Sequence, residues 1–155
     1  MSKLKPGNMV PDFSLPMTGG GTWRLKDAAG SKLVIYFYPR DMTSGCTRES
    51  QDFRDLAAAF RKADTVIVGI SRDSVASHDR FAAKESLPFP LLADTEEKVC
   101  RLFDVIKQKS LYGRKYLGVE RSTFLVDGAG RLQQEWRNVK VPGHAEAVLE
   151  AAQRQ

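Results

Sequence analysis

The 155-residue chain predicts an α/β fold, a mixed central sheet flanked by helices on both faces. Three observations carry this. First, Leu33-Val34-Ile35-Tyr36-Phe37-Tyr38 and Thr65-Val66-Ile67-Val68-Gly69-Ile70 are unbroken apolar runs, the pattern of strands buried on both faces. Second, the apolar period changes after Cys46: Phe53, Leu56, Ala57 and Phe60 fall at i, i+3, i+4 and i+7, one stripe of a helix. Third, Asp127-Gly128-Ala129-Gly130 is a hairpin turn signal, and a helical pattern follows it near the C-terminus.

The elements follow in order. Residues 13–15 and 22–25 flank Gly19-Gly20-Gly21 and read as a short hairpin or a pair of edge strands. The strand at 33–38 and the helix beginning near Cys46 come next, then the strand at 65–70. A helix runs from Ser74 or Val75 to about Glu85. Phe89-Pro90-Leu91-Leu92-Ala93 reads as a third strand. Asp94 with Glu97 three residues on reads as a capping box for a helix carrying Val99, Leu102 and Phe103 inward. Residues 106–119, with Lys107, Lys109, Gly113, Arg114 and Lys115, read as an exposed loop. Strands at 121–126 and 131–136 enclose the turn, and a last helix after Pro142-Gly143 buries Ala145, Val148, Leu149 and Ala152.

The length suits one domain over residues 1–155, with enough chain for a substantial core. Hydrophobic residues are 42% and charged ones 28%, a globular composition. No apolar run approaches the roughly 20 residues that span a bilayer, so no membrane partner is expected. Met1 to Pro6 has no apolar core of a secretory signal. With only Cys46 and Cys100, a disulfide framework is not expected and a reducing cytoplasm is. The formal charge of +5 comes from scattered Lys and Arg, never more than two in a row, so nucleic acid is not an expected partner.

The order of strand and helix suits a thioredoxin-like fold. A dithiol exchanger would carry Cys-x-x-Cys at the helix start, but the second position here is Glu49, which excludes that chemistry at this site. A lone thiol in the first helical turn meets unpaired N–H groups and the positive end of the helix dipole. As a bare residue Cys46 reads as a small buried hydrophobe. Its neighbours Pro39, Thr43, Gly45, Arg40 and Arg48 instead supply a rigid turn, a hydroxyl, an open approach and positive charge. His78 and His144 lack metal-ligand spacing with either cysteine and read as solvated; Trp23, Trp136 and the tyrosines call for no cofactor.

Pro39-x-x-x-Thr43-x-x-Cys46 resembles the peroxiredoxin active-site motif, and Tyr36 to Glu49 is similar to its Q branch, the bacterioferritin comigratory proteins. Pro11-Asp12-Phe13-Ser14-Leu15 resembles the family's opening. Gly118 to Asp127 resembles its late strand with the active-site arginine. The resemblance implies the peroxiredoxin form of the thioredoxin-like fold, with Cys46 as the peroxidatic cysteine and Thr43, Pro39 and Arg121 completing the site. Cys46 would attack a peroxide O–O bond and become a sulfenic acid, with an external thiol such as thioredoxin or a glutathione/glutaredoxin system restoring it. No cofactor is implied, and a monomer is expected.

Tuning a thiol's pKa gains only a factor of a few, because nucleophilicity falls as the thiolate fraction rises. Most of the rate must come from stabilising the reacting oxygens. Arg121 and the N–H groups around Gly45 and Cys46 would do this. The Thr43 hydroxyl would both accept from and donate to the reacting atoms, Pro39 would shield the thiolate, and Glu49 would orient an arginine. An open pocket near Pro39, Phe37 and residues 106–119 would admit alkyl as well as hydrogen peroxide.

Branch members carry a second cysteine five residues after the first or in the next helix. Those positions are Gln51 and Ala82 here, and Ser44 stands where the branch usually has proline. Cys100, between Val99 and Phe103, reads as a structural thiol, with a resolving role the alternative. A Cys-His hydrolase would use Cys46 without needing Pro39, Thr43 and Arg121. A non-catalytic redox sensor would oxidise Cys46 once and stop.

Overall fold

Strand β3 (Lys32–Phe37) organises the molecule, and its alternating side chains divide the interior in two. The computed structural model describes residues 4–155, so the first three residues of the Met1–Pro6 stretch lie outside it. Leu33, Ile35 and Phe37 enter one apolar cluster, and Val34, Tyr36 and Tyr38 enter the other. All six are essentially without solvent contact, which is why the run lacks the polar alternation of a surface strand.

β3 pairs in parallel with β4 (Thr65–Ser71), and β4 with β5 (Leu91–Ala93). On its other side β3 pairs antiparallel with β8 (Ser122–Val126), which carries β9 (Leu132–Trp136). The sheet order is therefore β5-β4-β3-β8-β9, mixed as expected. This is the thioredoxin-like arrangement. One face is covered by α1 (Ser44–Asp55), α2 (Ala57–Lys62), α3 (Val75–Glu85) and α5 (His144–Gln153), through Phe53, Phe60, Phe81 and Val148. The other is covered by the hairpin β1 (Ser14–Pro16) and β2 (Thr22–Arg24), a 3-10 turn at Leu25–Ala28, and α4 (Lys98–Leu102). Among the described residues no helix is long and apolar enough to cross a membrane.

Four details differ from the sequence reading. The helix after Cys46 is interrupted at Leu56, which separates α1 from α2. Phe53 and Phe60 remain fully buried across the break, each stabilising the fold by about 1.5–3 kcal/mol. Residues 106–119 are not a loop but a hairpin, β6 (Ile106–Leu111) and β7 (Arg114–Val119). Its turn has Tyr112 and Gly113 both at positive φ, a conformation that matches strand twist. Basic residues on both strands hide the alternation, and only the base, at Val119, enters the core. α4 starts at Lys98 rather than beside Asp94, because Glu97 adopts left-handed backbone. Asp94 still caps it, accepting from the Cys100 N–H at 2.6 Å, while Glu97 pairs with Arg72 and Arg101. Phe37 belongs to the core, packed on Phe103 and Phe124, and lines no open pocket.

Candidate active site

The chain leaves β3 at Phe37, turns through Pro39 and Arg40, and enters α1 at Ser44. Met42 takes a left-handed conformation (φ 66°) and Thr43 is the extended N-cap, so Cys46 arrives in the first turn. Its thiol is 1% exposed. That turn presents unpaired N–H groups and the positive end of the dipole to any charge on sulfur.

Arg121 reaches the same point from the link between β7 and β8. Its Nη2 donates to Cys46 Sγ at 3.3 Å, and its Nη1 donates to Glu49 Oε1 at 2.7 Å. One guanidinium thus binds the thiol and a carboxylate one helical turn later, a geometry lysine cannot copy. Burial of Arg121 works against its charge but is outweighed by Glu49 and Cys46, which raise its pKa further. Glu49 is 1% exposed, and burial pushes its carboxyl up to about 7, with Arg121 pulling the other way. Its second oxygen, Oε2, has no hydrogen-bond partner.

The remaining predicted residues are placed as follows. Gly45 lies beside Arg121, and a Cβ there would stand 3.1 Å from Nη2. Pro39 is half-buried at the mouth of the loop. The Thr43 hydroxyl is exposed and donates to the Arg40 carbonyl at 2.9 Å. Its single proton is therefore used within the loop, and its lone pairs are what it can offer a ligand. Cys100 is fully buried in the cluster on the opposite face of the sheet from Cys46. Burial, then Asp94, raises its thiol pKa far above normal.

Both histidines are buried, against the solvated positions read from sequence. His78 is wholly enclosed and bonds Asp41 and Leu92. The spacing His78, Phe81, Glu85 is a buried helical face, a signal present in the sequence but masked by polar neighbours. His144 is 7% exposed, bonded through Nε2 to Thr123 Oγ1 and edge-on to Phe53 and Trp136. Burial, with Arg121 adding, lowers its pKa to about 4. Lys109 of the β6–β7 hairpin also belongs to this neighbourhood. Partial burial, then Arg121 and Arg72, pulls its pKa down.

A thioredoxin-like fold that presents one thiol at a helix start, with an arginine on its sulfur and no cysteine two residues on, lacks the Cys-x-x-Cys pair of a dithiol exchanger. The chain belongs to the AhpC/TSA family, whose model matches residues 6–135. Its relatives place it in the peroxiredoxin Bcp, or Q, branch, and it is an enzyme of the peroxidase type. It is 54% identical to peroxiredoxin Bcp of Xanthomonas campestris pv. campestris, over 90% of this chain and 88% of that one. It is 49% identical to peroxiredoxin Bcp of Bacillus subtilis, over 95% and 94%. A solved structure of Xanthomonas campestris peroxiredoxin Q superposes with a TM-score of 0.89 at 52% identity, covering 92% of this chain and 90% of that one. The bacterioferritin comigratory protein of that organism is also solved in trapped intermediate/ligand complexes that address its alkyl peroxide reduction activity. Two cysteine-to-serine mutants of the Xanthomonas peroxiredoxin Q are solved as well, at positions spaced as Cys46 and Ala82 are here.

Proposed function

We propose that Cys46 is the peroxidatic thiol of a one-cysteine peroxidase for hydrogen peroxide and alkyl hydroperoxides. The observation that carries this is the Arg121 guanidinium, on Cys46 Sγ by one nitrogen and on Glu49 by the other. The sulfur attacks one peroxide oxygen, the O–O bond breaks, and the other oxygen leaves as water or alcohol. Cys46 becomes a sulfenic acid. Arg121 and the N–H groups of the first α1 turn stabilise charge on both oxygens as it develops. Glu49 holds Arg121 in place, Gly45 leaves it room, Thr43 accepts a hydrogen bond from the peroxide O–H, whose proton passes to the leaving oxygen, and Pro39 limits water at the sulfur. The Xanthomonas relative's alkyl peroxide reduction supports organic as well as inorganic substrates.

An external thiol, thioredoxin or a glutathione/glutaredoxin system, then returns Cys46 to the thiol, because no second cysteine can reach it. Ala82 and Gln51 occupy the positions where branch members carry one, and the central sheet stands between Cys46 and Cys100. The protein acts as a cytoplasmic monomer in this reading.

The test is intact mass without reductant after one equivalent of hydrogen peroxide. A gain of one oxygen that Cys46→Ser abolishes and Cys100→Ser leaves unchanged is expected. Loss of two hydrogens, abolished by either substitution, would make Cys100 the resolving thiol.

A further inference from the structure

The loop between β3 and α1 is held at one place. Beyond the buried Tyr38, Pro39 is half-buried, Arg40, Met42, Thr43 and Ser44 are exposed, and only Asp41 is buried. Its side chain collects three donors. The Tyr38 hydroxyl donates to Oδ1 at 2.6 Å, and Oδ2 accepts the Ser77 hydroxyl at 2.8 Å and His78 Nδ1 at 2.7 Å. The Asp41 N–H donates to Asp73 Oδ2 at 2.9 Å, the same oxygen that takes the Ser71 hydroxyl.

The far side of His78 fixes the protons. Nε2 lies 2.9 Å from the Leu92 carbonyl oxygen, which can only accept, so Nε2 carries a hydrogen. Nδ1 faces a carboxylate that already receives two hydroxyls, so a second proton bridges Nδ1 and Oδ2. His78 and Asp41, at 0% and 1% side-chain exposure, form a closed hydrogen-bonded link from β5, through α3, to the loop.

We propose that Asp41 and His78 are positioning residues for Cys46. Beyond Asp41 only a left-handed residue and the N-cap separate the loop from α1. The orientation of the first helical turn, and with it the distance from Cys46 to Arg121, is therefore set by where Asp41 is pinned. Neither residue touches the thiol. The role rests on Cys46 being the reacting group, and its loss converts a closed loop into one that opens.

Opening and catalysis move in opposite directions, which gives the test. In His78→Asn the amide nitrogen stands where Nδ1 was and keeps the bond to Asp41. In His78→Gln it stands where Nε2 was and keeps only Leu92. Each variant is assayed for hydrogen peroxide reduction and for the iodoacetamide alkylation rates of Cys46 and Cys100. Cys100, fully buried behind the sheet, reports opening of the whole fold. For His78→Gln we expect kcat/KM to fall at least tenfold and Cys46 alkylation to rise at least tenfold, with Cys100 unchanged. His78→Asn should stay within about threefold of wild type in both. Ser77→Ala, a milder loss of a donor to Asp41, should shift both readouts the same way by about threefold. Equal behaviour of the Gln and Asn variants, or a parallel rise at Cys100, would overturn the proposal. If the wild type consumes no hydrogen peroxide, the peroxidase reading fails, while the alkylation contrast still judges the clamp.

Discussion

Gly45 passes the Arg121 guanidinium so closely that a Cβ at this position would lie 3.1 Å from Nη2. The glycine has ordinary helical backbone, so the requirement is for space, not for an unusual φ. That nitrogen is the one on Cys46 Sγ. Gly45→Ala should therefore leave α1 at least as stable, since alanine is the better helix former. It should push Nη2 off the sulfur by a few tenths of an ångström. We expect kcat/KM for hydrogen peroxide to fall tenfold or more with an unchanged or higher Tm. A variant as active as wild type would show that Arg121 need not be held so tightly.

Arg121→Lys keeps a charge but replaces a two-handed donor by a point charge that cannot serve Cys46 and Glu49 together. Loss of one oxyanion-type donor costs about 10²–10³ in rate. Single-turnover oxidation of Cys46, followed by intact mass, should slow by that order. An effect below fivefold would place the oxygen stabilisation on the backbone N–H groups alone.

Glu49 gives a sharper version of the same test, because its carboxyl sits at about 7. Below pH 6 it is already largely neutral, so Glu49→Gln changes little there. Above pH 8 the wild type has a carboxylate on Arg121 and the variant does not. The activity ratio of wild type to Glu49→Gln should rise from near one at pH 6 toward tenfold at pH 8. A ratio independent of pH would mean that only the hydrogen bond matters.

The central layers were legible in the sequence because β3 and β4 are buried on both faces and need uniform apolar runs. The candidate site residues on one stretch, Pro39 to Glu49, were easy to group for a similar reason, since loop and helix start are contiguous. What was not legible is what tertiary contact creates. Ser77 and His78 look polar on a surface helix, and their meeting with Asp41, 37 residues earlier for His78, draws His78 into the interior and leaves Ser77 half-buried. The β6–β7 hairpin hid for the opposite reason. It stands mostly in solvent, so nothing forces the alternation of apolar and polar residues that would mark it.

Gly69 separates packing from chemistry. A Cβ there would fall 2.8 Å from both the Leu91 side chain and the Tyr36 ring, neither of which has room to retreat. Tyr36 is stacked on Phe53 and tied to the Ser50 hydroxyl at 2.8 Å. Gly69→Ala should cost about 1–3 kcal/mol by overpacking. Urea denaturation should show it as a lower midpoint at unchanged slope. An unchanged midpoint would mean that β4 and β5 can separate at no cost.

Glu49 and His144 act on stability in opposite directions over nearly the same pH range. Glu49 is raised from 4.5 to about 7, so the fold favours its proton. That contribution is complete below pH 4.5 and is lost as pH rises through 7. His144 is lowered from 6.5 to about 4, so the fold favours the neutral ring. Its contribution is complete above pH 6.5 and is lost as pH falls through 4. In the wild type the two slopes, each at most about 1.4 kcal/mol per pH unit, largely cancel between pH 4.5 and 6.5. Glu49→Gln removes one of them, and its unfolding free energy should climb with pH across that window. His144→Gln removes the other, and its unfolding free energy should fall. Urea denaturation of the three proteins at half-unit intervals from pH 4.5 to 7.5 reads both slopes, and two variants with the same sign of slope would contradict the burial of these groups.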